Sequence, residues 1–123
     1  MFKLFILLGA LNAGLSVVLG AFGAHGLESK LSAKMMDVYK TGVQYHIFHA
    51  LGLFVVAFLA DKFPNSSLIG AAGWIMFLGI ILFSGSLYVL SVTDISKLGI
   101  ITPFGGLAFI ISWVLIIIAI LKV

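Results

Sequence analysis

"GVQYHIFHALGLFV" occupies residues 42–55 and sets two histidines and a glutamine in a stretch otherwise apolar enough to enter a lipid bilayer. The composition decides the environment of those polar groups. Of 123 residues, 63% are hydrophobic and only 9% are charged, and the mean hydropathy is +1.30. A soluble domain of this size has no means of covering so much apolar surface, so the stretch belongs to a membrane span.

Outward from it, the few charges fall in clusters that mark connections. Lys3 precedes a run from Leu4 to Ala24, and Glu28, Lys30, Lys34, Asp37 and Lys40 precede the run from Gly42 to Ala60. Asp61 and Lys62 precede Leu68 to Val92; Asp94 and Lys97 precede Leu98 to Leu121, with Lys122 beyond. Each run is close to the roughly 20 residues that cross about 30 Å of hydrocarbon as a helix. The expected fold is all-α: a single-domain, polytopic membrane protein, an antiparallel bundle of four transmembrane helices over residues 4–24, 42–60, 68–92 and 98–121. The first run exceeds the ~7–15 apolar residues of a signal peptide and is read as a span.

Absence of cysteine excludes disulfides and thiolate metal sites. The basic pI of about 9.4 comes from lysine alone, without a basic, aromatic-interleaved stripe, which points to anionic lipid headgroups and not to nucleic acid. Lys3, Lys62 and Lys122 fall on one side of four spans, and Lys30, Lys34, Lys40 and Lys97 on the other, a near tie that leaves orientation open.

Between the first two spans, Leu27, Leu31, Met35 and Val38 recur at helical spacing, so residues 27–41 are expected to form an amphipathic interfacial segment. "DKFPNSS" is a turn with a serine available to cap the third helix, and "TDISK" is short enough to make the last two helices antiparallel neighbours. Gly9, Ala13, Ser16, Gly20 and Ala24 form a small-residue stripe suited to close helix approach in lipid. Gly26 is placed to cap the first helix, Thr102 and Pro103 to begin the last, and Gly105 and Gly106 to admit a neighbouring helix or a ligand.

Counting alternating spans brings four unusual stretches to one end of the bundle: "GAFGAHGL" from Gly20, "QYHIFH" from Gln44, "FSGSLY" from Phe83 and "TPFGG" from Thr102. That end is expected to hold a polar pocket around His25, Gln44, His46, His49, Ser84, Ser86, Tyr88 and Thr102. His46 and His49 project from neighbouring positions of one helix face. Interhelical hydrogen bonding, for instance from His49 to Ser84, Ser86 or Tyr88, is the plainest role for them. Proton or solute handling by a titrating imidazole comes next, then a metal site with His25 or an axial haem ligand. No phosphate-cradling loop or hydrolytic triad is recognisable, so no enzyme and no cofactor are expected.

The four stretches, with a tyrosine four residues before a histidine in "YHIFHAL", are similar to those of the small four-helix membrane proteins of domain of unknown function family 423, and the similarity runs along essentially the whole chain. The resemblance implies a four-helix architecture in a bacterial cell membrane and brings no mechanism with it. Members often carry glutamine at the position of His46, which implies a hydrogen-bonding role there and makes His49 the better candidate for a shared function. A more basic C-terminus and second connection in members imply cytoplasmic termini; this chain has only Lys62 and Lys122 at those places. Three function classes are therefore carried forward, the lowest-ranked being a histidine metal or haem site in a redox protein. The first is a non-enzymatic membrane protein whose pocket serves a lipid, a small molecule or a partner protein, assembling as a homo-oligomer or within a larger membrane complex. The second is a proton-coupled transporter or channel built on His49.

Overall fold

A backbone in lipid has no water to bond, so each apolar run must satisfy its own N–H and C=O groups as helix. A computed structural model describes residues 1–123 and has four helical spans. Helix α1 covers Phe2–Gly26 and α2 covers Ala33–Lys62. The third span is α3 (Ser67–Gly79), a π-helical turn over Ile80–Gly85, and α4 (Ser86–Thr93). A 3-10 turn over Ser96–Ile100 leads into α5 (Thr102–Leu121). Large apolar side chains face outward along every span, among them Leu11, Val18, Phe48, Val55, Leu78, Ile110 and Ile117. A bundle apolar outside as well as inside is one whose solvent is hydrocarbon.

The ends of the helices differ from the expected ones for local reasons. The stretch 27–41 is not a separate interfacial helix: Ser32, with extended backbone, accepts a hydrogen bond from the Met35 N–H at 3.1 Å and starts α2 at Ala33. Residues 33–41 are therefore the first turns of a 30-residue helix about 45 Å long, which outreaches a ~30 Å hydrocarbon core. Gly26 ends α1 in ordinary helical geometry, and no glycine has positive φ. Ser66 stands at the start of α3 without a side-chain capping bond. The left-handed cap falls instead to Asp94 (φ 57°), whose N–H reaches the Leu90 carbonyl and closes α4.

Helix α2 is central, lying against α1, α3 and α4, while α5 lies against α3 and the π turn. Two regimes of packing result. Toward the chain termini, Phe5, Leu53, Val56, Ile69, Met76 and Ala119 form an apolar core. Toward the other end, glycine sets the spacing. A Cβ on Gly105 would run into the backbone of Leu82 and Phe83 in the π turn, so α5 crosses there at backbone contact. The small-residue stripe on α1 is rotated from the expected one. Its buried positions are Phe5, Gly9, Asn12, Ser16 and Gly23; Ala13 and Gly20 are half-buried, and Ala24 is exposed. The reason is Tyr39, whose ring fills the space a side chain at Gly23 would need and whose hydroxyl donates to the Leu19 carbonyl at 2.5 Å.

Candidate functional site

The four unusual stretches do meet at one end, yet their polar side chains form separate centres and not one pocket. His46 and His49 are both buried, with 2% and 3% of their surfaces exposed. Three residues apart, and so about 60° apart around α2, they meet different neighbours.

His46 points into the bundle. Its Nε2 meets Asn12 Oδ1 at 2.9 Å and its Nδ1 meets the Tyr88 hydroxyl at 2.9 Å. Asn12 Nδ2 donates to the Leu8 carbonyl at 2.8 Å, and a carbonyl can only accept. The amide oxygen therefore faces His46, Nε2 carries the proton, and the Tyr88 hydroxyl donates to the bare Nδ1. Every link has one permitted direction. Tyr39 leans on Tyr88 with ring centroids 5.3 Å apart, so α1, α2 and α4 are joined by a single polar chain.

His49 faces α5. Its Nδ1–H donates to the Tyr45 carbonyl at 2.9 Å, which leaves Nε2 to accept from the Trp113 indole N–H at 3.1 Å. The imidazole lies flat on Phe109, with centroids 3.5 Å apart and planes 7° from parallel. His49 thus bonds none of Ser84, Ser86 and Tyr88; the interhelical partner of Tyr88 is His46. Ser84, fully buried, donates to the Gly42 carbonyl at 2.8 Å. Ser86 donates to the Phe83 carbonyl at 2.9 Å and receives the Thr102 hydroxyl at 2.6 Å. Thr102 accordingly ties α5 to α4; Ile101 holds the N-cap position. His25 is exposed and joins neither centre. No buried side-chain nitrogen or oxygen lacks a partner.

Beside His49 lies a cleft of about 560 Å³, lined by Gln44, Tyr45, Phe48, His49, Phe83, Gly106, Phe109, Ile110 and Trp113. It exists because α2 and α5 make almost no close backbone approach; aromatic side chains bridge the gap. The π turn presents Phe83, which packs on Tyr45 and Phe109 at 4.6 and 5.6 Å. Gly106 forms the floor, where an added Cβ would sit 3.7 Å from the Phe83 ring, an ordinary contact. The cleft is apolar in its length and polar at the Gln44 end, and it opens laterally, since Phe48 and Ile110 on its rim are exposed.

Asn12, Phe109 and Trp113, which contact the two histidines from other helices, were not among the expected site residues. Asn12 was detectable as the lone carboxamide in the first apolar run, three residues from Gly9 and four from Ser16. Trp113 and Phe109, four apart on α5, carry no polar pattern that distinguishes them from core aromatics.

Comparison with known proteins agrees with this architecture. The family model described as "Protein of unknown function (DUF423)" matches residues 19–106. The UPF0382 membrane protein YwdK of Bacillus subtilis is 66% identical over 120 residues, covering 98% of each chain. UPF0382 membrane proteins of Staphylococcus epidermidis and Staphylococcus haemolyticus are 50% and 51% identical, covering 98% of this chain and 97% of theirs. No solved structure matches. With four membrane-length helices and relatives named as bacterial membrane proteins, the chain belongs to the DUF423 family of integral membrane proteins.

Proposed function

We propose that this protein is a non-enzymatic binding protein of the bilayer, whose cleft between α2 and α5 takes the apolar chain of a lipid or similar amphiphile. The observation that carries this reading is the cleft itself: about 560 Å³, within the roughly 300–1,000 Å³ of small-ligand sites, walled by aromatic rings and opening sideways into the hydrocarbon. The polar groups on its wall support binding by shape. His49 spends both nitrogens on the Tyr45 carbonyl and the Trp113 indole, so the wall is rigid and presents ring faces to an occupant. A proton-coupled transporter on His49 draws less support, because a proton held at Nε2 would face an indole, which only donates. A metal role is disfavoured on the same ground, all four ring nitrogens of His46 and His49 being engaged.

The test uses Trp113 as reporter. In a Trp74→Phe background it is the sole tryptophan, and phospholipid with brominated acyl chains is titrated into protein in uncharged detergent. Saturable quenching near one lipid per chain is expected, converted to a weak, non-saturating slope by Gly106→Leu, which fills the floor. Quenching that never saturates, or is indifferent to Gly106→Leu, overturns the reading.

A further inference from the structure

A second hollow lies beside the cleft on α2, and the ridge between them has a chemistry of its own. Lys40, Gln44 and Phe48 stand at i, i+4 and i+8, one above another, and all three are exposed. On one side of this ridge is the aromatic cleft. On the other is a notch of about 190 Å³ against α1, floored by Gly20, Gly23 and Ala24 and walled by Tyr39 and Val43. Gln44 lines both hollows, and Lys40 lines the notch at its top. The notch alone is below the size of an independent ligand site. As an extension of the cleft across Gln44 it suits the glycerol region and upper second chain of a lipid whose first chain lies in the cleft.

The vertical order along α2 matches that of a phospholipid. Lys40 is about 12 Å from Phe48 along the helix axis, on the side where α2 outreaches the hydrocarbon. A lysine there runs its methylenes along apolar surface and keeps its ammonium at headgroup depth. Gln44, one turn deeper, offers amide donors and an acceptor at the depth of ester groups, and aromatic rings follow. The charged residues on these first turns of α2 are Lys34, Asp37 and Lys40, two cations against one carboxylate, so the surplus at the head of the ridge is positive. We infer that the occupant is an anionic phospholipid that straddles α2, its phosphate region held by Lys40, its ester region at Gln44 and one acyl chain in the aromatic cleft. This rests on the binding function proposed above and adds the headgroup class.

Two brominated lipids with identical chains, phosphatidylglycerol and phosphatidylcholine, separate the two levels. Both are titrated into the Trp74→Phe protein in uncharged detergent. The phosphatidylglycerol curve is expected at about five-fold lower concentration, the effect of one lysine at an anionic headgroup. Lys40→Gln should move it onto the phosphatidylcholine curve while leaving the latter in place, which also reports an intact fold. Lys40→Arg should keep the preference, as should Lys62→Gln at the far end of α2. Coincident saturable curves, or a preference that survives Lys40→Gln, overturn the headgroup assignment and leave the cleft function standing. Absence of saturation with either lipid overturns both.

Discussion

His46 and His49 are three residues apart on one helix, equally buried, and employed in opposite ways. His46 sits at the junction of three helices in a chain that begins at the Leu8 carbonyl and ends at the Tyr88 hydroxyl. His49 is bound on both nitrogens within a wall of rings, and its face is stacked on Phe109 beside open space. The first centre fixes how α1, α2 and α4 are rotated against one another; the second holds α5 away from α2 and keeps a cleft open. Burial and residue type do not by themselves assign a role in lipid. What decides it is whether the neighbouring backbones have closed in.

The largest effect is expected at Gly105, which sets how closely α5 approaches the π turn and so the shape of the cleft. Gly105→Val places methyl groups in the backbone of Leu82 and Phe83, and neither can move without unwinding the turn. A loss beyond the about 1–3 kcal/mol of ordinary overpacking is expected, seen as collapse of the thermal transition in detergent. Gly106→Ala next door, with only an ordinary contact in its way, should change the transition little.

Next in size is the interior chain. His46→Leu strands the Asn12 oxygen and the Tyr88 hydroxyl, and about 1–3 kcal/mol of destabilisation is expected. Combining it with Asn12→Leu and Tyr88→Phe should recover part of that loss, since no polar group is then left unpaired. His46→Gln, which retains a donor and an acceptor, should stay within about 1 kcal/mol of the parent. Additive losses across the triple variant, measured by reversible unfolding, would show that the three residues do not act as one chain.

At the cleft the expected stability effect is smaller and the binding effect larger. His49→Phe keeps the stacking on Phe109 and removes the bond from Trp113, which should cost about 0.6 kcal/mol, the average for a hydrogen bond between membrane helices. The Trp113 emission should shift as its N–H loses its partner, and lipid quenching should weaken. Unchanged emission would deny the His49–Trp113 bond. Smallest of all, Ser86→Ala removes one hydroxyl pair between α4 and α5. A change of at most about 1 kcal/mol is expected, with no effect on quenching.

Much of this architecture was legible because lipid simplifies the inference. Charges can sit only at the ends of spans, so Lys3, Asp61, Lys62, Asp94 and Lys97 divide the chain correctly without any detail of packing. Alternation of spans then gathers "GAFGAHGL", "QYHIFH", "FSGSLY" and "TPFGG" at one end, where His46 meets Tyr88, Ser86 meets Thr102, and Gln44 lines one hollow with Gly20 and Gly23. Helix rotation was not legible. On α1 an apolar-all-round sequence offers no amphipathic signal, so Ala13 and Asn12, adjacent in sequence, served equally well on a stripe with Gly9 and Ser16. The start of α2 departs from the expected one for a related reason: the polar residues 33–41 resemble a surface segment, while the Ser32 cap makes them a continuation of the span.

Hydropathy and chain alternation fix the environment, the number of spans and the end at which polar groups collect, whatever the packing. Packing between helices turns His46 inward to Asn12 and Tyr88, brings His49 to Trp113 sixty-four residues away, and leaves His25 outside. Those outcomes depend on how each helix is rotated about its axis, and in lipid that rotation is set by side-chain fit between helices, with no hydrophobic effect to orient them and leave a periodic trace in the sequence.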